Sequence, residues 1–480
     1  MMTKLGRLLL AALLAPALVH AQPVISPAPG VSASVYATDA LYRKLLRNAT
    51  AAQARNAWDL GAMPSATSPA AAILPTITLQ TSAPSGYGNL YYSAVSGVLQ
   101  TTPFSFFGGV PIPSSGTHGV VYQWSMSTAT GSGYSNSNIV QTEFGGTRQL
   151  HAEADAIEFM HEGTKLFVLL NMTTTLPIRI LVNDQYVSLT GSAVSANGNT
   201  WVIIDFTQGG TISAANARAL RRIRIETEDA TSFEWAGTPA TESLRPIPTN
   251  DVVHVLWEGH SVVRGFGSSI RGNGYSQVTC KLLGWRDCRQ LALEGSGILN
   301  PATVATTYDT RITDFDQYPG ADVCLVDNSL NDSTPTYVST YQAAFITHVG
   351  HIRAHQPNCL IIILGAFPGA TGPSTGTGSV VALEQTIQAS VGAYTTATGD
   401  TNIIFVPIST LSPTPVIFGT GTCGSTNGSG NSDIYIGGSQ GTNDASNCVD
   451  TVHPTDTGHM AYARYLSGAI LSALQTLRAP

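Results

Sequence analysis

The stretch Asp251-Val252-Val253-His254-Val255-Leu256-Trp257-Glu258-Gly259-His260-Ser261-Val262-Val263-Arg264-Gly265 runs from an apolar, β-branched segment into a serine flanked by glycines. An apolar run without polar alternation reads as a strand buried on both faces, the kind found in parallel sheets. Three runs of the same character follow: DVCLVDNS (322–329), CLIIILGAF (359–367) and NIIFVPI (402–408). Among them lie segments of helical pattern, YVSTYQAAFITHVGHIRAH (337–355) and, near the end, TGHMAYARYLSGAILSALQTL (457–477). Strands alternating with helices predict an α/β domain over 246–480, with any ligand site beyond the carboxyl ends of the strands.

Upstream of this stretch the pattern changes. Short β-prone runs recur between 76 and 245: TITLQT, GVVYQWSM, AIEFM, KLFVLLN, IRILVN, TWVIIDF and RRIRIETE. Turn pairs such as Asn183-Asp184 and Gly209-Gly210 separate them, so this region is expected to form an all-β sandwich. Residues 22–75 read as a linker with one N-terminal helix over 37–59, framed by Pro/Ala/Ser-rich segments. Residues 1–21 have the pattern of a secretory signal peptide: Lys4 and Arg7, then the apolar run Leu8 to Leu14, then Val19-His20-Ala21. The run is too short to span a bilayer. The mature chain is expected to be exported, to the medium or the periplasm, without a membrane span.

Composition agrees with this organisation. A chain of 480 residues is too long for one ordinary core. With 43% hydrophobic and only 11% charged residues it has the material for sizeable cores and too little charge for a disordered chain. The net charge of −7, with no basic cluster, argues against nucleic acid as a partner. All six cysteines (Cys280, Cys288, Cys324, Cys359, Cys423 and Cys448) lie in the last part of the chain, and none forms a CxxC pair. An even number in an exported chain favours disulfides over metal. The connectivity is open from sequence; the preferred pairs are Cys280–Cys288, Cys324–Cys359 and Cys423–Cys448.

The chemistry-bearing residues sit just after the runs read as strands. Ser261 follows the first, in a turn that glycine allows to fold back, and a helix after it would aim N–H groups at developing negative charge. Taken alone, it equally suits a helix N-cap. Asn331, in Asp327-Asn328-Ser329-Leu330-Asn331-Asp332, has a side-chain amide able to donate to an oxyanion, although Asn-Asp is also ordinary turn chemistry. Gly297, in Glu294-Gly295-Ser296-Gly297-Ile298, offers a backbone N–H. Near the end stands Asp450-Thr451-Val452-His453-Pro454, then Gly458-His459. A histidine must reach the serine to take its proton, and a carboxylate must orient the imidazole.

In this order the motifs resemble the SGNH (GDSL-type) hydrolase family over roughly 250–478. The resemblance implies a flavodoxin-like three-layer α/β/α domain. It assigns Ser261 as nucleophile, His453 as base and Asp450 as its orienting carboxylate. The oxyanion donors it implies are the Ser261 N–H, the Gly297 N–H and the Asn331 side chain. No cofactor or metal is implied. Two departures stand out: His260 replaces the usual aspartate before the nucleophile, and the usual Gly-Asn-Asp reads Leu330-Asn331-Asp332, with Ser329 where a first glycine often stands. The β-region ending at Arg222-Ile223-Arg224-Ile225, followed by the nucleophile strand, also resembles the join in two-domain carbohydrate esterases, whose first domain is jelly-roll-like. That is a fold-level analogy, and it favours an acylated, above all O-acetylated, polysaccharide as substrate.

Other patterns are set aside. Gly419-Thr420-Gly421-Thr422-Cys423-Gly424 matches a dinucleotide fingerprint by letter but is followed by STNGSGNS, not a helix. It reads instead as a loop bordering the site, with Tyr435 placed to stack on a sugar. His348, His351 and His355 share a helical stretch, but no His-Glu-x-x-His and no neighbouring carboxylate in sequence supports zinc. His151, Glu153, Asp155, His161 and Glu162 read as exposed polar positions, and His459 as packing for the last helix. The absence of Gly-x-Ser-x-Gly around Ser261 argues against the ordinary α/β-hydrolases. The competing functions are a lipase-like or aryl esterase, an acyltransferase with the same triad, and a non-catalytic glycan-binding protein.

Overall fold

The structure, a computed structural model, describes residues 40–50, 75–113, 119–123, 140–143, 146–149, 155–172, 177–188, 192–193, 198–207, 217–227, 231–248, 252–268, 270–301, 306–367, 379–410, 453–454 and 456–476. The expected signal peptide, Asp450, Tyr435, the 419–424 stretch and the Cys423–Cys448 pair lie outside them. Residues 40–50 are helical, inside the helix expected over 37–59. No helix among the described residues is long and apolar enough to cross a membrane.

The described residues between 76 and 245 form two stacked, antiparallel seven-stranded sheets. The first runs Thr76–Gln80, Gly198–Asp205, Lys165–Met172, Thr231–Thr238, Val120–Gln123, Val110–Pro113, and Asn89–Tyr92 also pairs with Thr231–Thr238. The second is built around Pro177–Val182, Ala219–Thr227 and Asp155–Gly163. Alternation along each strand decides the core. Leu166, Val168 and Leu170 point inward against Ile157, Phe159, Ile180 and Ile225 of the facing sheet. Phe104 seals the layer edge-on to Phe159 and Phe233, at centroid distances of 5.5 and 4.9 Å. The intervening Phe167 and Leu169 join Trp201 and Trp235 in a second apolar cluster.

Two positions expected on the surface are buried: Asp155 and His161. His161 Nε2 lies 3.3 Å from Glu242, whose carboxylate also accepts from the Thr164 N–H at 2.8 Å. For His161, a partner distant in sequence makes this burial tolerable.

The second sheet docks on the α/β half through ion pairs. Glu158 accepts from Arg224 of its own sheet and from Arg286 at 2.9 Å. Glu226 pairs with Arg179 at 2.8 Å and with Lys281 at 2.9 Å. Gly108 N–H donates to Asp287 at 3.0 Å. Each buried carboxylate here has more than one donor, the condition under which buried charge is tolerated.

Among the described residues the α/β half carries five parallel strands: β1 (His254–Gly259), β2 (Asp287–Ala292), β3 (Val323–Ser329), β4 (Leu360–Phe367) and β5 (Ile403–Val406). Their spatial order is β2-β1-β3-β4-β5, the doubly wound flavodoxin-like order. Helices α1 (Tyr275–Leu282) and α4 (Asp456–Thr476) pack together, as do α2 (Pro335–His355) and α3 (Val380–Thr398). The α2 and α3 layer buries Phe345, Val349, Leu383 and Ile387 against Leu256, Val326, Ile361 and Ile363 of the sheet. Helix α3 begins at the Ser379 cap, whose side chain accepts from the Ala382 N–H, and ends at Gly399 with φ +71°.

Strand β2, DCRQLA, is the one the apolar pattern did not announce. Its polar side chains are satisfied at a distance: Asp287 by His254 at 2.9 Å, Gln290 by the Val263 carbonyl at 2.7 Å. The disulfides Cys280–Cys288 and Cys324–Cys359 tie α1 to β2 and β3 to the start of β4, as preferred from sequence.

Candidate active site

Strand order reverses between β1 and β3, where the following connections diverge and leave a crevice at the carboxyl edge. Ser261 stands just past β1. A side chain at Gly259 would overlap Val263, so glycine lets the chain turn back at once. The segment 261–267 is a run of turns braced by Arg264 N–H to His260 O (3.2 Å) and Phe266 N–H to Ser261 O (3.1 Å). The helix expected directly after Ser261 does not follow; α1 starts at Tyr275, because the glycines at 265 and 267 adopt φ +81° and +87°.

His453 Nε2 lies 2.6 Å from Ser261 Oγ across 192 residues of sequence. Close approach of the two loops explains Gly267: a Cβ there would overlap the Pro454 carbonyl and come within 3.1 Å of His453 Cβ. The Phe266 ring sits 5.4 Å from the imidazole. His459 does more than pack α4. Its Nδ1 accepts from the Tyr275 N–H at 3.1 Å, which puts the proton on Nε2, 2.7 Å from the Phe266 carbonyl. It thus ties the nucleophile loop to α1 and α4.

On the other side of Ser261, the loop after β2 is anchored by Leu293 N–H to Gly259 O at 3.1 Å. Asn331 Nδ2 donates to the Ser296 carbonyl at 2.9 Å, and the Asn331 carbonyl accepts from Asn300 Nδ2 at 2.9 Å. The buried Asp332 carboxylate accepts three N–H groups: Ile298 at 2.7 Å, Leu299 at 3.2 Å and Asn300 at 2.7 Å. Burial pushes this carboxyl up from the usual carboxylate range, against those three N–H bonds and the nearby His260.

The Gly297 N–H donates to the Asn300 carbonyl at 3.0 Å. The Gly295 N–H, two residues earlier at φ +69°, donates to no acceptor among the described residues. The positive φ is invisible in a string of letters that contains both glycines. Beside it, Glu294 pairs with Arg264 of the nucleophile loop.

The three helix histidines are not bare of carboxylates. His348 lies between Glu258 (2.6 Å) and Asp309 (3.2 Å), His351 meets Asp309 at 2.8 Å, and His355 meets Asp316 at 2.8 Å. Burial alone would lower the His348 pKa, but the Glu258 charge and both hydrogen bonds outweigh it and push it up to about 9. These contacts join α2 to the strand before the site and to the 309–316 segment, and they put a buried imidazolium against Glu258, three residues before Ser261.

No protein-family model matches the sequence, and no curated protein matches it. Solved structures do. A family two carbohydrate esterase from Cellvibrio japonicus superposes with a TM-score of 0.51 at 12% identity, over 84% of this chain and all (100%) of that one. An acetyl xylan esterase from the rumen bacterium Butyrivibrio proteoclasticus gives 0.51 at 12% identity, over 81% of this chain and 99% of that one. The salicylyl-acyltransferase SsfX3 from a tetracycline biosynthetic pathway gives 0.56 at 12% identity, over 82% and 99%. With the strand order and the switch-point serine, this likeness defines the class: the chain has the SGNH-hydrolase fold.

Proposed function

We propose that this protein is an exported serine esterase that removes O-acetyl groups from a polysaccharide. The observation that carries the reading is the 2.6 Å contact between Ser261 Oγ and His453 Nε2 at the topological switch point. His453 takes the Ser261 proton as Oγ attacks the ester carbonyl, and the negative charge gathers on the carbonyl oxygen. The Ser261 N–H, the Gly295 N–H and the Asn331 side-chain amide stabilise that oxyanion, with Gly295 proposed in place of Gly297. The C–O bond to the sugar breaks and His453 protonates the leaving alcohol. Water then gives its proton to His453 and attacks the acyl-enzyme, releasing acetate. Asp450 orients the imidazole by accepting from Nδ1–H. No metal or organic cofactor enters these steps.

The glycan substrate is supported by fold likeness to a carbohydrate esterase and an acetyl xylan esterase. On this reading the sandwich is a jelly-roll-like accessory domain, and the two disulfides suit an oxidising compartment. A second reading, transfer of the acyl group to an acceptor other than water, is favoured by the likeness to the acyltransferase, which has the highest TM-score of the three. One assay separates them: wild type and Ser261→Ala against aryl esters of two, four and eight carbons and against an acetylated polysaccharide, with and without added sugar acceptor. Acetate release that vanishes in Ser261→Ala is the expected result. Preference for the longest ester would replace the glycan reading with a lipase-like one. Acylated acceptor as the main product would replace hydrolysis with transfer. Equal activity in both proteins would remove Ser261 as nucleophile.

A further inference from the structure

His260 departs from the aspartate usual before the nucleophile, and its surroundings show what replaces that carboxylate. It is buried, 2% exposed. Its Nδ1 accepts from the Val262 N–H at 3.4 Å, an i to i+2 contact of the kind by which short polar side chains brace a turn. Its Nε2 faces Asp327 Oδ1 at 3.7 Å. Asp327 lies on β3 with no solvent exposure, and its other oxygen accepts from the Tyr275 hydroxyl of α1. Among the described residues, Asp332 after β3, Tyr308, whose hydroxyl donates to the Asp327 carbonyl at 2.8 Å, Tyr462 of α4 and the Phe367 ring at the end of β4 also surround the pair. None of them takes part in the chemistry above beyond Asp332's hold on its loop.

The tautomer follows from these contacts. A ring nitrogen that accepts carries no proton, so the proton of neutral His260 sits on Nε2, turned toward the Asp327 carboxylate. Were it on Nδ1, two N–H groups would face each other at Val262.

We infer that Asp327 and His260 form a positioning pair for the nucleophile. Asp327 keeps the proton on Nε2, the bare Nδ1 receives the Val262 N–H, and the turn so braced presents the Ser261 hydroxyl to His453. Neither residue touches the substrate. The inference rests on Ser261 being the nucleophile.

The test uses the full-length enzyme and an aryl acetate. Asp327→Asn, which keeps shape but no longer selects the tautomer, lowers kcat about tenfold with KM within about twofold, the signature of an interaction felt only in the transition state. His260→Phe, which deletes the acceptor, does the same. His260→Asn restores kcat to within about threefold of wild type, because an amide oxygen accepts the Val262 N–H without tautomer control. Adding Asp327→Asn to His260→Asn then costs nothing further. Additive losses, or full turnover in His260→Phe, overturn the pair. A measurement on the wild type needs no variant: ring-nitrogen NMR of selectively labelled histidine finds His260 protonated on Nε2, and an Nδ1-protonated ring overturns the pair. Ser261→Ala run alongside separates the failures. If it retains turnover, the nucleophile reading falls and the pair with it; if it is inactive while the losses are additive, only the pair falls.

Discussion

Asp332 and Glu384 do the same work on opposite sides of β4, with different neighbours. Asp332 fastens the loop after β2 through three N–H groups. Glu384, on α3, fastens the turn after β5 through the N–H groups of Ile408 (3.0 Å), Ser409 (2.6 Å) and Thr410 (2.7 Å). Each carboxylate fills the space where a glycine lacks a side chain, Gly297 for Asp332 and Gly365 for Glu384. The difference is what else the held loop carries. Asp332 adjoins Asn331 and holds the loop of Gly295, so its loss reaches the proposed oxyanion donors. Glu384 holds backbone that carries none of them. Buried carboxylates that look equivalent by burial and hydrogen bonding therefore separate into one felt in turnover and one felt in stability.

Truncation breaks or sharpens this contrast most strongly. Asp332→Ala is expected to lower kcat for an aryl acetate by about a hundredfold, the scale of losing one oxyanion donor. Glu384→Ala leaves just as many N–H groups bare and is expected to lower Tm more than kcat. Equal losses of kcat in the two variants would erase the distinction.

A subtler probe keeps both carboxylates and crowds them. Gly297→Ala and Gly365→Ala each press a methyl group on a buried carboxylate and should destabilise by about 1–3 kcal/mol, read by denaturant unfolding. Only Gly297→Ala should also slow turnover. If Gly365→Ala slows it equally, the β5 side is coupled to the site after all.

The smallest effect concerns a third buried carboxylate, Glu258, which is met by an imidazole instead of backbone. Backbone N–H groups do not titrate in the ordinary range, whereas His348 does. Its pKa is raised to about 9 from the usual 6.5, so the stability it contributes is fully present below about pH 6.5 and is lost as pH rises through about 9. Tm should fall across that window in wild type and fall less in His348→Gln, measured by thermal unfolding between pH 6 and 10. A wild-type profile no steeper than the variant's would reject the assignment.

Much of the scaffold was legible because it depends on local pattern. The buried strands β1, β3, β4 and β5 announce themselves as unbroken β-branched runs, and α2 and α4 as long helical stretches. Strand β2 does not, since Asp287, Arg289 and Gln290 interrupt it and their partners, His254 and the Val263 carbonyl, come from elsewhere. His161 looked like a surface residue for the same reason: Glu242, which makes its burial tolerable, is 81 residues away. At the site, the order Ser261, Asn331, His453 is a property of the string. Which of two neighbouring glycines has a spare N–H is not, because it depends on a backbone angle and on the Asn300 carbonyl folding back.

The sequence by itself determined the class of fold, the alternation of layers and the residue types from which a nucleophile and base are drawn. Those follow from periodicity and from spacing along one chain. Tertiary structure alone decided that Ser261 and His453 stand 2.6 Å apart, that Asp332 and Glu384 each gather three N–H groups, and that His260 faces Asp327. Such contacts join residues tens to hundreds of positions apart. Hydrogen bonds and desolvation act through distance in space, which local sequence pattern does not encode.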